Sequence, residues 1–382
     1  MQKQQFIPFC RVELTQAEIT AVTECLRSGW LTMGNQVQKF EQQFAEYVGV
    51  KYAISVNSCT AALDLALLAH NIGKGDEVLV PSFTFVATAN VVIHAGAKPV
   101  FVDIDKNTLN IDLEDIVKKI TKKTKAIIVV HYAGLPVELT KIKKIAKEHN
   151  LIIIEDAAHA VGSKYKGKYV GAHGNTTCFS FYATKTMTTG EGGMLTTNNK
   201  KIADFVARNR LHGISRDAWK RYRKDGSWKY DVLYAGFKYN MTDVQASLGI
   251  HQLSRLEKFI EQRTKIVGLY KKGFSKNKHI QMLSTPNTVR HSYHLCPILV
   301  TGVKRDELIK KLTEMEIGTS VHFIPIHQFS YYKKFYPVKK NDLQVTDSVF
   351  KHILSLPLFP TLKQEEINRV INAVNALTLD SK

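Results

Sequence analysis

The sequence predicts an α/β fold, with a large unit on a mostly parallel sheet followed by a smaller C-terminal α+β unit. Two observations carry this expectation. Through the first two thirds of the chain, apolar runs of strand length alternate with helical patterns, as happens when helices cover both faces of a parallel sheet. After Asp243 one long helical stretch leads into a segment where strand-like and helical patterns mix. The 382 residues suffice for more than one core at about 100–200 residues per domain. We place the large unit at 1–250 and the small one at 251–382.

The chain opens with an arm, Phe6 to Val12. Thr15-Gln16-Ala17-Glu18 then reads as a capping box ahead of Ile19, Val22 and Leu26, which mark one helix face. A second helix is expected over Gln36–Tyr47. Strands follow at Tyr52–Val56, Glu77–Val80, Pro99–Val102, Ala126–Val130, Leu151–Ile154, Thr177–Phe181 and Met194–Thr196. Helical patterns lie between most of them; Ile142, Ile145 and Ala146 share a face of Thr140–His149. The segment Ser215–Val232 has little periodicity and reads as a long loop. The long helix spans Val244–Tyr270. Beyond it come strands at Leu295–Val300 and Thr319–Phe323, and helices at Arg305–Met315 and Gln364–Leu377.

Composition narrows the function classes. No apolar run approaches a membrane span. The N-terminus has no secretory pattern, so a cytoplasmic location is expected. Five cysteines, Cys10, Cys25, Cys59, Cys178 and Cys296, are scattered without ligand spacing, which predicts reduced thiols and no metal site. The net charge of +19 sets 53 basic against 34 acidic residues, with the lysines spread along the whole chain. No basic-aromatic recognition motif accompanies it, so nucleic acid is not an expected partner.

The chemistry centres on Lys185, at the end of Phe179-Ser180-Phe181-Tyr182-Ala183-Thr184-Lys185. Upstream, Asp156 ends an apolar run, where ligands of open parallel sheets bind. A buried acid there needs a partner to stay ionised. A lysine amine that holds an aldehyde, with an acid that keeps a pyridine nitrogen protonated, is what pyridoxal phosphate requires. His159, three residues on, would project toward the same cleft to stack on the ring or bond its phenolic oxygen. Asn57-Ser58-Cys59-Thr60-Ala61-Ala62 follows a strand and supplies a helix N-terminus for a phosphate, with Ser180 as a second donor. Phe85 is the candidate for stacking on the other ring face, with Phe83 in competition. Gly190-Glu191-Gly192-Gly193 reads either as a turn that leaves room near the lysine or as a simple turn between strands.

Taken together, Glu155-Asp156-Ala157-Ala158-His159, the Phe179–Lys185 run with Gly190–Gly193, Asn57–Ala62 and Gly236-Phe237-Lys238-Tyr239-Asn240-Met241-Thr242-Asp243 resemble the DegT/StrS family of nucleotide-sugar aminotransferases. The resemblance extends from Ser28–Gly34 to Leu356–Pro360. It implies an aspartate-aminotransferase-like fold and a homodimer with shared active sites. It also implies that Lys185 is the cofactor lysine, Asp156 the partner of the pyridine nitrogen, and Ser58, Cys59, Thr60 and Ser180 the phosphate site. Lys238 and Asn240 stand in the motif that reaches the partner subunit's cofactor phosphate, although many members carry Asn and Arg at those positions. Cys59 replaces a common Gly, and Tyr182 a common His. Lys185 argues against dehydratase relatives, which carry His instead.

The resemblance further implies a nucleotide-linked keto sugar as substrate and L-glutamate as amino donor. His159 stands where many C3 enzymes carry Gln and several C4 enzymes carry His. The Ser215–Val232 segment also resembles C4 enzymes acting on UDP-4-keto sugars. We therefore expect a 4-amino sugar as product, in surface-glycan or O-antigen synthesis. A C3 aminotransferase and a non-catalytic cofactor-binding regulator are the rival readings. Arg221 and His322 are the candidates for receiving the substrate diphosphate.

Overall fold

The computed structural model describes residues 5–215 and 229–379. Its strands are β1 (Tyr52–Val56), β2 (Glu77–Pro81), β3 (Lys98–Val102), β4 (Thr124–Val130), β5 (Ile152–Asp156), β6 (Lys164–Tyr165), β7 (Lys168–Tyr169), β8 (Thr176–Ser180), β9 (Gly193–Thr197), β10 (Ile280–Met282), β11 (Val289–Arg290), β12 (Cys296–Val300) and β13 (Ile353–Leu356). Seven of these form the main sheet, in the order β1-β9-β8-β5-β4-β2-β3. β9 pairs antiparallel with both neighbours, and every other pairing is parallel. Strands buried on both faces need continuous apolar runs, and Ala126–Val130 and Ile153–Ile154 supply them.

The helices are α1 (Gln16–Arg27), α2 (Asn35–Val48), α3 (Cys59–Ala69), α4 (Ala87–His94), α5 (Leu113–Lys119), α6 (Leu139–Glu148), α7 (Lys200–Asn209), α8 (Asp243–Phe274), α9 (Arg305–Glu314), α10 (Ser330–Phe335), α11 (Gln344–His352) and α12 (Gln364–Leu379). α8 serves two cores. Ala246, Ile250, Leu253, Leu256 and Ile260 pack with Phe40, Phe44, Phe179 and Phe181. From Ile266 to Phe274 the helix instead covers the antiparallel sheet β10-β12-β13, with Leu308, Leu312, Val370 and Val374. The arm returns to this second core through Ile7. Asp243, the first residue of α8, accepts hydrogen bonds from the N–H groups of Gly34, Gln36 and Val37, and so caps α2 from another part of the chain.

Two expectations are corrected. The α1 capping box forms, but Ile19 and Leu26 are exposed and the helix turns Glu18 and Cys25 inward. Glu18 accepts from Thr15 N–H (2.9 Å), Gln252 Nε2 (2.9 Å) and Arg255 Nη1 (2.8 Å), so this contact is polar. Thr319–Phe323 is not a strand; only Ser320 bridges Ser355. β13, α10 and α11 were not expected from the sequence. The core of Ser215–Val232 lies outside the described residues, while its ends pair through Ile214 and Val232. No helix among the described residues is long and apolar enough to cross a membrane.

Candidate active site

The C-terminal ends of β2, β4, β5 and β8 open on a cavity of about 460 Å³. Ser58, Cys59, Thr60, Phe85, Asp156, His159, Ser180, Lys185 and His322, all expected from the sequence, line it, together with Thr88, His294 and Phe323. Lys238 and Asn240 do not line it; they bond each other, Nζ to Oδ1, at 2.6 Å. Arg221 lies outside the described residues.

Lys185 sits in the turn after β8, its N–H bonded to Tyr182 O at 2.9 Å. Burial lowers its amine from 10.5 to about 8, opposed by the nearby Cys59 and Asp156. Asp156 ends β5. Its Oδ2 accepts from Thr88 Oγ1 (2.8 Å), and its Oδ1 from Ala158 N–H (3.1 Å) and, more weakly, the Cys59 thiol (3.9 Å). Burial raises its pKa, and the Thr88 and Ala158 bonds only partly reverse this. No salt bridge reaches this carboxylate among the described residues.

Ser58 is the N-cap of α3 and accepts from Ala61 N–H at 3.1 Å. Cys59 turns its side chain toward Asp156, leaving its N–H at the helix terminus. Gly193 makes this approach possible, since a Cβ there would lie 2.5 Å from the Ser58 carbonyl carbon. The glycine run thus makes room for the α3 terminus, and Gly190 (φ 79°) provides the turn.

One wall is aromatic. Phe85 is exposed to the cavity, whereas Phe83 is buried in a core beside Tyr132. Phe323 stacks with His159, ring centroids 5.7 Å apart, and His294 lies 4.4 Å from the same imidazole. His159 Nδ1 accepts from Ala133 N–H at 3.3 Å. Burial, reinforced by Lys185 and His322, keeps His159 well below the ordinary histidine value. His322 is lowered to about 4 by burial and Lys185, which leaves it neutral near pH 7. Phe9 of the arm stacks against it at 5.3 Å.

Sequence reasoning passed over Thr88, His294 and Phe323. Thr88 had a signal, being an alcohol at the start of the helix after Pro81–Phe85; the other two come from the chain beyond α8 and had none tying them to the lysine.

The model of the DegT/DnrJ/EryC1/StrS aminotransferase family matches residues 12–375. The chain belongs to this family. It is 47% identical to the spore coat polysaccharide biosynthesis protein SpsC of Bacillus subtilis over 97% of each chain. It is 48% identical to an uncharacterized protein of Methanocaldococcus jannaschii over the full length of both. Among solved structures it resembles Streptococcus pneumoniae Spr1654, assigned as a sugar aminotransferase, in its PMP form (TM-score 0.93, 34% identity, 98% and 100% of the two chains). It also resembles Helicobacter pylori PseC, an aminotransferase of pseudoaminic acid biosynthesis (TM-score 0.91, 29% identity, 98% and 100%). This aminotransferase therefore acts in sugar metabolism with pyridoxal phosphate, on a nucleotide sugar and an amino donor. Its cavity fits that cofactor: a buried carboxylate with no salt bridge among the described residues, an amine of lowered pKa and a helix N-terminus all line it.

Proposed function

We propose that this aminotransferase converts a nucleotide-linked 4-keto sugar to the 4-amino sugar, with L-glutamate as donor, in the cytoplasm and in the service of a surface glycan. The observation that carries the reading is the convergence of Lys185, Asp156 and His159 on one cavity. When bound, pyridoxal phosphate supplies an aldehyde to collect the amino group and a ring to spread the resulting negative charge.

Lys185 Nζ would hold that aldehyde and then, once released, take and return the proton at the reacting carbon. An amine near 8 is suited to both directions at neutral pH. Asp156 would hold positive charge on the ring nitrogen, which gives a role to a buried carboxylate that has no salt bridge among the described residues. Ser58, the N–H groups of Cys59 and Thr60, and Ser180 would bind the phosphate. Phe85 and His159 would cover the two ring faces. Lys238 and Asn240, which do not line this cavity, would complete the site of a second subunit, giving a homodimer with shared active sites. His322 would meet the substrate as a neutral hydrogen-bonding group.

His159 supports carbon 4 over carbon 3, since C3 relatives commonly carry Gln there. SpsC supports a polysaccharide pathway. The test is to incubate the cofactor-loaded enzyme and L-glutamate with 3-keto and 4-keto nucleotide sugars and to locate the new amine by NMR. Amination at carbon 3, or turnover retained in Lys185→Ala, overturns the reading.

A further inference from the structure

Glu155 has no part in the mechanism above, yet its side chain is wholly buried. Successive residues of a strand point to opposite faces, so Glu155 lies on the side of β5 away from the cavity that Asp156 enters. Its Oε2 meets His131 Nε2 at 2.9 Å, and its Oε1 accepts from Asn175 Nδ2 at 2.7 Å. His131 is buried as well, and its Nδ1 accepts from Val137 N–H at 3.2 Å. With Nδ1 acting as acceptor, the ring proton sits on Nε2 and is donated to Glu155.

His131 begins the turn after β4. Within that turn Ala133 is left-handed (φ 57°, ψ 5°), a conformation that L-residues other than Gly, Asn and Asp rarely adopt. The turn is held on every side: Asn110 bonds Tyr132 N–H and the Leu135 carbonyl, and Ser163 donates to the Gly134 carbonyl. It touches the cavity wall at two points. Ala133 N–H donates to His159 Nδ1, and Tyr132 OH donates to the His322 carbonyl at 2.6 Å. A Cβ at Gly134 would approach the His159 carbonyl oxygen to 2.9 Å, so the turn has no slack on that side.

We propose that Glu155 and His131 are positioning residues that fix the tautomer of His159 through the Tyr132–Gly134 turn, so that His159 keeps its proton on Nε2. The consequence for turnover rests on His159 contacting the cofactor, as argued above. The placement of the proton does not. An imidazole neutral throughout the working pH range must commit its one proton to one nitrogen, and the Ala133 N–H decides which. Holding that N–H toward the ring requires the left-handed backbone, which the Glu155–His131 bond anchors from behind.

The test uses cofactor-free protein labelled with 15N-histidine, read by two-bond 1H–15N correlation, with His159→Gln to assign the signal. Wild type is expected to show His159 protonated on Nε2 alone between pH 6 and 8, about the range in which histidine ordinarily titrates. Glu155→Ala is expected to give a mixture of tautomers. Glu155→Gln, whose amide oxygen still accepts from His131, keeps the wild-type pattern. If Glu155→Ala does not fold, His131→Asn breaks the same bond from the other side while leaving an acceptor for Val137. In the loaded enzyme the disrupted variants should shift the pH midpoint of the cofactor's absorbance band and lower kcat more than they raise KM, and Glu155→Gln should do neither. A wild-type His159 pattern in Glu155→Ala and His131→Asn, with only the melting temperature lowered, overturns the proposal. A changed pattern with an unmoved absorbance band supports the positioning pair and instead refutes His159 as a cofactor contact.

Discussion

Replacing Lys185 with Met should stabilise the cofactor-free protein while abolishing transamination. A lysine whose amine falls from 10.5 to about 8 on folding is one whose charged form the fold disfavours. At about 1.4 kcal/mol per pH unit, the charged amine costs about 3 kcal/mol. The side chain is only partly shielded at the cavity wall, so about 2 kcal/mol is the safer expectation. Methionine keeps the length of the stem and removes the charge. The sign with pH follows from proton binding. Below pH 8 both folded and unfolded chains carry the proton and the penalty is complete. Between 8 and 10.5 the unfolded chain binds the proton that the folded chain has lost, so wild-type stability rises relative to the variant. Urea unfolding at fixed protein concentration and several pH values measures the gap. The gap should be widest below pH 8 and close by about pH 10.5. A variant no more stable than wild type at pH 7, or a gap that does not change with pH, refutes the argument that burial at this site depresses the amine.

Four further outcomes are expected. Asp156→Asn removes a charge that holds the Lys185 amine up, so the amine should titrate below about 8 in the cofactor-free protein, as read by NMR after 13C-methylation of lysines. Thr88→Val takes away the hydroxyl that donates to Asp156 Oδ2 and should cost about 1–2 kcal/mol in urea unfolding at neutral pH. Asp243→Ala leaves three N–H groups at the start of α2 without their acceptor and should cost about 2 kcal/mol, with a matching fall in melting temperature. Burial opposes the ionisation of Glu18, but Thr15 and Arg255 outweigh it and lower its pKa from 4.5 to about 2. Its stabilising contribution is therefore complete above pH 4.5 and lost as the pH falls toward 2, and Glu18→Gln should flatten that part of the stability profile.

The strands of the main sheet were legible because burial on both faces demands uninterrupted apolar residues, which few other contexts require. Lys185 and Asp156 were legible because each ends such a run. The inward face of α1 was not. A 3.6-residue period shows that a stripe exists but not which stripe is covered, and here Glu18 and Cys25 face inward while Ile19 and Leu26 face out. Thr319–Phe323 has the composition of a strand, but only Ser320 finds a bridging partner. The supports of the site were the least visible. Thr88 reaches Asp156 across 68 positions and Tyr132 reaches His322 across 190, and no local pattern encodes such bonds.

The order β1-β9-β8 has a consequence for the chain as it is made. β1 is the first strand of the main sheet to leave the ribosome, and β9 is its only neighbour in that sheet. Tyr52 pairs with Thr197 and Val56 with Gly193, so on the order of 140 residues must be added before the partner exists. At about 5–20 residues per second that is roughly 7–28 s. For that interval the strand Tyr52-Ala53-Ile54-Ser55-Val56 has no partner strand, and α2, which packs beside it, waits longer still for Asp243. The nascent protein is most exposed to aggregation at its beginning, and chaperone dependence during synthesis should trace to this first strand rather than to the catalytic loops.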